Sequence, residues 1–190
     1  MQTIRSFIAV PLVPDVAKVA GKLIDRLSPE CSSIRWVPKE SLHLTLKFLG
    51  DVENTEVPRI CDCIRKAVDG VEPFQIDFIG ASAMPSIERP RVVHMGVEDD
   101  LQGLSRIAGR LENLLADLGY KREARDYRPH LTLGRVKGSR TKASASIIDA
   151  IEQEKELDAG TMVVDQVQLV ASFLDREGPT YQVMDTVDLG

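Results

Sequence analysis

The chain has 190 residues, of which 43% are hydrophobic and 28% charged, and this is the composition of an ordinary globular protein. It excludes a disordered or collagen-like chain, and a chain of this size buries about 70% of its unfolded surface in a core without disulfides or metals. The formal net charge of −5 excludes a globally basic nucleic-acid-binding surface, so any anion-binding site has to be local.

The cysteines and the apolar runs bear on where the protein is found. Three cysteines (31, 61 and 63) are an odd number at no disulfide-framework spacing, which favours a reducing compartment. No apolar run approaches the roughly 20 residues of a membrane span, and the pattern of a secretory signal is missing. We therefore expect a cytoplasmic protein without a membrane segment.

Strand and helix patterns alternate along the first half of the chain. Apolar residues at every second position predict strands, and apolar residues three and four apart predict helices. The predicted elements are a strand over 5–10, a helix over 16–27, a motif strand near 42–49, a helix over 58–68 and a strand over 74–78.

The second half repeats this order of elements. Its elements are a strand over 91–97, a helix over 101–118, a motif strand near 130–136, a helix over 147–151, a strand over 162–170 and a hairpin partner over 181–187. A repeated order at a near-constant offset suggests internal duplication. We expect residues 1–190 to form one bilobal α+β domain whose equivalent strands face each other across a shared cleft.

The clearest signal is a tetrapeptide that occurs twice. His-Leu-Thr-Leu begins at His43 and again at His130, which are two of only three histidines in the chain. Side chains alternate between the faces of a strand, so each histidine shares a face with the threonine two residues later. We expect the leucines to be buried, and His43, Thr45, His130 and Thr132 to be presented as candidate catalytic residues.

Two facing imidazoles suit chemistry that removes one proton and delivers another near neutral pH, because the unperturbed pKa of histidine is about 6.5. Threonine hydroxyls can donate hydrogen bonds to the non-bridging oxygens of a tetrahedral anion. The third histidine, His94, has no threonine two residues later, and we interpret it as a structural residue.

These residues resemble the two-histidine phosphoesterases, and specifically the LigT-like RNA 2′,3′-cyclic phosphodiesterases. The family signature is a pair of His-x-Thr-x motifs, carried here by His43 with Thr45 and by His130 with Thr132. The resemblance covers nearly the full length of the chain. It extends to residues 5–10, 44–50, 128–130, 134–135 and 178–181.

The resemblance implies two pseudo-symmetric lobes, each a mainly antiparallel sheet with helices on its outer face, around a central cleft. It implies hydrolysis of a terminal 2′,3′-cyclic phosphate on RNA to a 2′-phosphate, without metal or cofactor, and in some relatives reversible 2′,5′ ligation. By the family's assignment His43 is the proton donor and His130 the proton acceptor. The sequence alone leaves these two roles interchangeable.

A local excess of positive charge surrounds the second motif. Residues 121–142 contain eight basic side chains against two acidic ones, and such a cluster attracts phosphates. The candidate substrate-binding residues are Lys47, Tyr127, Arg128 and Arg135. Alternation places Arg135 off the His130 face unless the strand bends at Gly134, and Trp36 is expected to pack in the core.

Two other functions remain open. A noncatalytic RNA-binding or nucleotide-binding module could use the same cleft, and a phosphodiesterase for a small cyclic phosphate could use the same mechanism. No metal-ligand spacing and no glycine-rich nucleotide-binding loop occurs in the sequence. We therefore expect a monomer that needs no metal or cofactor and acts on RNA with a 2′,3′-cyclic phosphate end.

Overall fold

A computed structural model describes residues 3–30, 32–138, 144–175 and 178–190, which leaves Cys31 outside the described residues. These residues form nine strands and four α-helices. The strands are β1 (Thr3–Pro11), β2 (Ile34–Trp36), β3 (His43–Glu53), β4 (Phe74–Met84), β5 (Val92–Glu98), β6 (His130–Val136), β7 (Asp158–Val164), β8 (Gln166–Asp175) and β9 (Gly178–Asp188). The helices are α1 (Pro14–Leu27), α2 (Val57–Val68), α3 (Gly103–Ala116) and α4 (Ala145–Gln153).

The strands form two antiparallel sheets. One has four strands in the order β3-β1-β8-β9, and the other has five in the order β2-β6-β5-β4-β7. Helices α2 and α3 pack beside the four-stranded sheet, and α1 and α4 beside the five-stranded one. This confirms the expected α+β class with two antiparallel sheets. None of the helices in the described ranges is long and apolar enough to cross a membrane.

Each sheet contains strands from both halves of the sequence. Strand β4 of the first half pairs with β5, and β8 of the second half pairs with β1. The order β3-β1-β8 in one sheet therefore matches the order β6-β5-β4 in the other. Internal duplication stays a prediction, but the lobes do not coincide with the two halves of the chain, because each sheet contains two strands from the other half.

The prediction of a single strand over residues 162–170 is wrong. The chain forms β7 and β8 there, and these strands belong to different sheets. Met162 and Val164 are buried before the break, and Val167 and Leu169 after it. The buried positions change from even to odd numbers at Asp165, which is what a strand does when it turns its apolar side toward a different sheet.

The short strand β2 was not predicted from the sequence. It has three residues, too few for an alternating pattern to be recognised. It pairs with β6 at the edge of the five-stranded sheet, and Ile34 is buried in the core. Trp36 packs against the same core, as expected. The strand therefore packs its apolar side chains in the core, and its edge pairs with the motif strand β6.

Candidate active site

The two tetrapeptides begin the two motif strands. His43 is the first residue of β3 and His130 the first residue of β6. The four leucines of the motifs are buried, at positions 44, 46, 131 and 133. The histidines and Thr45 and Thr132 keep partial exposure. The alternation predicted from the sequence therefore holds over both motifs.

The two histidines are oriented in the same way. The Nδ1 atom of His43 lies 2.7 Å from the carbonyl oxygen of Ser41, and that of His130 lies 2.8 Å from the carbonyl oxygen of Arg128. A carbonyl oxygen only accepts hydrogen bonds, so Nδ1 carries the hydrogen in both rings. Each Nε2 is then left to accept a proton when the ring is neutral or to donate one when it is charged.

The environment favours the neutral form of both imidazoles. Burial lowers the pKa of His43 and that of His130 below 6.5, against the opposing effect of the backbone hydrogen bonds. The positive charge of Arg135 lowers the pKa of both rings further. One guanidinium therefore disfavours the protonated form of both histidines.

One extra residue interrupts each motif strand at the same point. Thr45 pairs with Ala9 but Lys47 pairs with Ile8, so Leu46 is inserted in β3. Leu133 is inserted in β6 in the same way, opposite β5. An inserted residue reverses which later side chains face which side of the sheet. The alternation read from the motifs therefore fails after both positions.

The expected role of Lys47 in substrate binding is corrected by this reversal. Its side chain is 3% exposed and points away from the cleft face toward α3. The Nζ atom donates to Glu112 Oε1 at 2.7 Å and to the carbonyl oxygen of Lys121 at 2.7 Å. Lys47 thus forms a buried ion pair that ties β3 to α3 and to the following loop.

The same reversal brings Arg135 to the His130 face. Its charge acts on both histidines and on Tyr181, although simple alternation placed it on the opposite side. Gly134 faces the core instead, and a Cβ atom built there would come within 3 Å of Ile34 and Trp36. Arg135 therefore stays a candidate for binding the substrate phosphate.

His94 lies beside the candidate site, although the sequence indicated only a structural residue. It pairs with Thr132 across β5 and β6, and its ring centroid lies 5.5 Å from that of His130. Burial, together with the charge of His130, lowers the pKa of His94 to about 4. Val93 and Met95 on either side of His94 are fully buried, so alternation places His94 on the opposite face, toward the cleft. Its neighbour across the strands cannot be read from the sequence.

We expect His94→Phe to reduce kcat/KM by less than about tenfold, whereas an acid or base contributes about 10² to 10⁴. His94 is uncharged at neutral pH because its pKa is about 4, so it can deliver no proton there. The dependence of kcat/KM on pH should keep the same shape in the variant as in the wild type. A loss as large as that of His130→Ala would assign His94 a proton-transfer role instead.

Tyr127 and Arg128 contact the two motif strands. The Tyr127 ring is partly buried against the core, and its hydroxyl donates to the carbonyl oxygen of Thr45 at 3.2 Å. Its role in substrate binding stays a prediction. The Arg128 side chain is exposed, and its backbone carbonyl orients His130. Arg140 and Lys142 of the basic segment lie outside the described residues.

An aromatic wall, formed by Phe7, Phe48 and Tyr181, lies beside His43. Phe7 stacks on the His43 ring with centroids 4.5 Å apart, and Tyr181 meets both rings edge-on at 5.1 and 5.2 Å. Phe48 lies 6.1 Å from Phe7 and is 52% exposed. These residues could not be assigned to the site from the sequence, since their contacts join three different strands.

Comparisons with known proteins identify the chain's relatives. The model of the 2′-5′ RNA ligase superfamily matches residues 14–175. An RNA 2′,3′-cyclic phosphodiesterase of Methanothermobacter thermautotrophicus is 35% identical over 98% of this chain and 99% of that protein. One of Aeropyrum pernix is 31% identical over 86% of this chain and 91% of that protein.

Solved structures share the fold over the whole chain. A crystal structure of a Thermus thermophilus protein superposes with a TM-score of 0.81 at 25% identity, covering 98% of both chains. E. coli LigT complexed with 3′-AMP superposes with a TM-score of 0.75 at 23% identity, covering 99% of both chains. The resemblance stated from the two motifs is confirmed, and the chain belongs to the 2′-5′ RNA ligase superfamily.

Proposed function

We propose that this protein hydrolyses the 2′,3′-cyclic phosphate end of RNA to a 2′-phosphate. The observation that carries the proposal is the matched orientation of His43 and His130, each held through Nδ1, with no hydrogen bond to Nε2 from the described residues. The positive charge of Arg135 also acts on both imidazoles. The relatives named RNA 2′,3′-cyclic phosphodiesterase support the same reaction.

The reaction needs one proton removed and one delivered. In the proposed roles, the Nε2 atom of neutral His130 takes a proton from water as its oxygen attacks phosphorus. The bond from phosphorus to the 3′-oxygen breaks, and protonated His43 gives its Nε2 proton to that oxygen. Water thus supplies the new oxygen on phosphorus, and the phosphate stays on the 2′-oxygen.

Charge develops on the non-bridging oxygens as water attacks. The hydroxyls of Thr45 and Thr132 share the faces of the two histidines and can donate to those oxygens. Arg135 adds a positive charge that is paired with no carboxylate among the residues with described side chains. These groups stabilise the transition state more than the ground state, because the negative charge grows between them.

The two walls of the cleft suit the two parts of a nucleotide. The exposed rings of the aromatic wall, Phe48 and Tyr181, can stack a base, as RNA sites commonly do, and Arg135 on the opposite sheet can bind phosphate. With a 5′-hydroxyl of a second RNA in place of water, the same step would form a 2′,5′ linkage: the hydroxyl oxygen attacks phosphorus and gives its proton to the base, and the 3′-oxygen leaves with the proton of the acid. We also infer a monomer in the cytoplasm, consistent with the free buried thiols of Cys61 and Cys63.

The proposed function is tested by turnover of an oligonucleotide that ends in a 2′,3′-cyclic phosphate, in excess EDTA, with phosphorus NMR of the product. We expect a 2′-phosphate end and no loss of rate through chelation. Binding without product would favour a noncatalytic module. Turnover of a small cyclic phosphate but not of the oligonucleotide would favour the small-molecule alternative, and a 3′-phosphate would contradict the proposed bond cleavage.

The pH dependence follows from the two lowered pKa values. One imidazole has to be neutral and the other protonated, so kcat/KM should be bell-shaped, with apparent values that belong to the pair. Burial and Arg135 disfavour the charged form of both rings, so the maximum should lie below about pH 6.5, the usual histidine pKa. Arg135→Gln removes one of these effects and should move the maximum to higher pH.

The measurement is kcat/KM against pH for the wild type and for Arg135→Gln, with His94→Phe as a control that leaves Arg135 in place. A monotonic profile would contradict the acid and base pair. A maximum that stays in place or moves to lower pH in Arg135→Gln would contradict the effect of the Arg135 charge on the two histidines.

A further inference from the structure

A second arginine lies directly opposite Arg135. Arg35, the central residue of the edge strand β2, pairs with Arg135 of β6. Directly paired residues of antiparallel strands point to the same face of the sheet. Ile34 and Trp36 on either side of Arg35 pack in the core. Arg35 therefore shares the cleft face with Arg135, one strand farther from His130.

The two arginines have no acidic partner among the residues whose side chains are described. Both arginines are exposed, and neither forms an ion pair within the part of the chain whose side chains the structure describes. By contrast, the nearby Lys39 is bonded to Asp25 at 2.7 Å. Like charges placed directly opposite each other on a sheet are destabilising. A bound anion would remove this repulsion, which makes the pair a candidate ligand site.

We infer that Arg35 binds the phosphodiester that precedes the terminal nucleotide, while Arg135 serves the terminal cyclic phosphate. This rests on the proposed function. The insertion of Leu133 brings Arg135 to the same face of β6 as His130, which places it on the side of the reacting end. Arg35 is displaced from it toward the sheet edge by one strand spacing of about 5 Å. Each guanidinium group can bind a phosphate through two hydrogen bonds. Side by side, the two groups suit two successive phosphates of an RNA strand.

The consequence is a preference for RNA ends over cyclic mononucleotides. A cyclic mononucleotide with a free 5′-hydroxyl has no phosphate for Arg35 to bind, whereas a dinucleotide has one. The contact adds to substrate binding without touching the reacting atoms. Arg35 therefore acts as a specificity residue, and its removal should change the ratio of kcat/KM values between the two substrates.

The test compares Arg35→Gln with wild type on a cyclic mononucleotide and on a cyclic-phosphate dinucleotide. We expect kcat/KM to fall about tenfold for the dinucleotide, the effect of one hydrogen bond to a charged group. The mononucleotide value should change less than about twofold, since a distant exposed charge is screened by salt. Lys39→Gln, which removes the same charge from a paired residue, should leave the ratio unchanged.

A dinucleotide with an uncharged methylphosphonate linkage provides the second arm. With the wild-type protein, kcat/KM should be about tenfold lower for this substrate than for the normal dinucleotide. This is the same loss that Arg35→Gln should cause with the normal dinucleotide. Arg35→Gln should cause no further loss with this substrate, because the two changes remove the same contact. Additive losses would overturn the inference.

The outcomes separate this inference from the proposed function. If wild type hydrolyses neither substrate, the proposed function fails. If wild type hydrolyses both, and Arg35→Gln lowers both values alike or neither, only the assignment of Arg35 fails. Thermal unfolding checks the fold, and Arg35→Gln should melt no lower than wild type because it removes a like-charge contact. Should it melt lower, Arg35→Lys is compared on the same two substrates and should keep part of the preference.

Discussion

Replacing His43 or His130 with alanine is expected to lower kcat by about 10² to 10⁴, the usual contribution of a positioned acid or base. Each ring is held by a backbone carbonyl through Nδ1, so alanine removes the free Nε2 atom that would transfer the proton. The measurement is the hydrolysis rate of a cyclic-phosphate oligonucleotide at saturating substrate. Near wild-type rates in either variant would end the two-histidine mechanism.

The double variant tests whether the two histidines act together. Groups that act as one unit show losses that do not add, so His43→Ala with His130→Ala should be little slower than the slower single variant. Circular dichroism and the melting temperature should stay close to wild type, since both rings are partly exposed at strand ends. Losses that multiply fully would indicate independent roles.

Glu112→Ala is expected to lower the free energy of unfolding by about 3 kcal/mol, because it leaves the buried ammonium of Lys47 without its carboxylate. Lys47 is 3% exposed and lies 2.7 Å from Glu112. The carboxylate also accepts from the backbone N–H of Glu123 at 3.2 Å, and this bond is lost too. Urea denaturation at neutral pH measures the change.

Two control variants make this prediction specific. Lys47→Met replaces the cation with an apolar side chain of similar length, and should cost less than Glu112→Ala because no buried charge is left unpaired. Glu56→Ala removes the exposed pair with Arg59, and should change stability by no more than about 1 kcal/mol. Equal losses for Glu56→Ala and Glu112→Ala would contradict the buried character of the Lys47 pair.

The chemistry of the site could be predicted because it is local in sequence. A strand that begins with His-Leu-Thr-Leu places histidine and threonine on one face over only four residues, and both copies, from His43 and from His130, behave in this way. The two antiparallel sheets were also predictable from the repeated order of elements and the family resemblance. Local alternation and turn signals do not depend on what lies across the sheet.

The positions of Lys47 and Arg135 could not be predicted because one inserted residue changes their faces. Leu46 and Leu133 are ordinary apolar residues, and nothing in their identity shows that each lies unpaired in its strand. The insertions are visible only in the register with β1 and β5. After each of them the expected face reverses, so Lys47 becomes buried and Arg135 joins the cleft.

Contacts between residues on neighbouring strands also could not be predicted from the sequence. His94 comes to lie beside His130 and Arg35 opposite Arg135, although each pair is far apart along the chain. Tyr127 is followed closely by the second motif, yet it reaches back to bond the first at Thr45. Sequence spacing alone gives no partner for any of these residues.

Short connections between the two sheets limit how far the lobes can move apart. Asp165 alone separates β7 of the five-stranded sheet from β8 of the four-stranded one, and the motif strands β3 and β6 of the two sheets are in contact. A one-residue connection cannot lengthen, so the sheets are held together at this point. The proposed site is therefore largely formed before a substrate binds, which lowers the entropic cost of placing its groups around a phosphate.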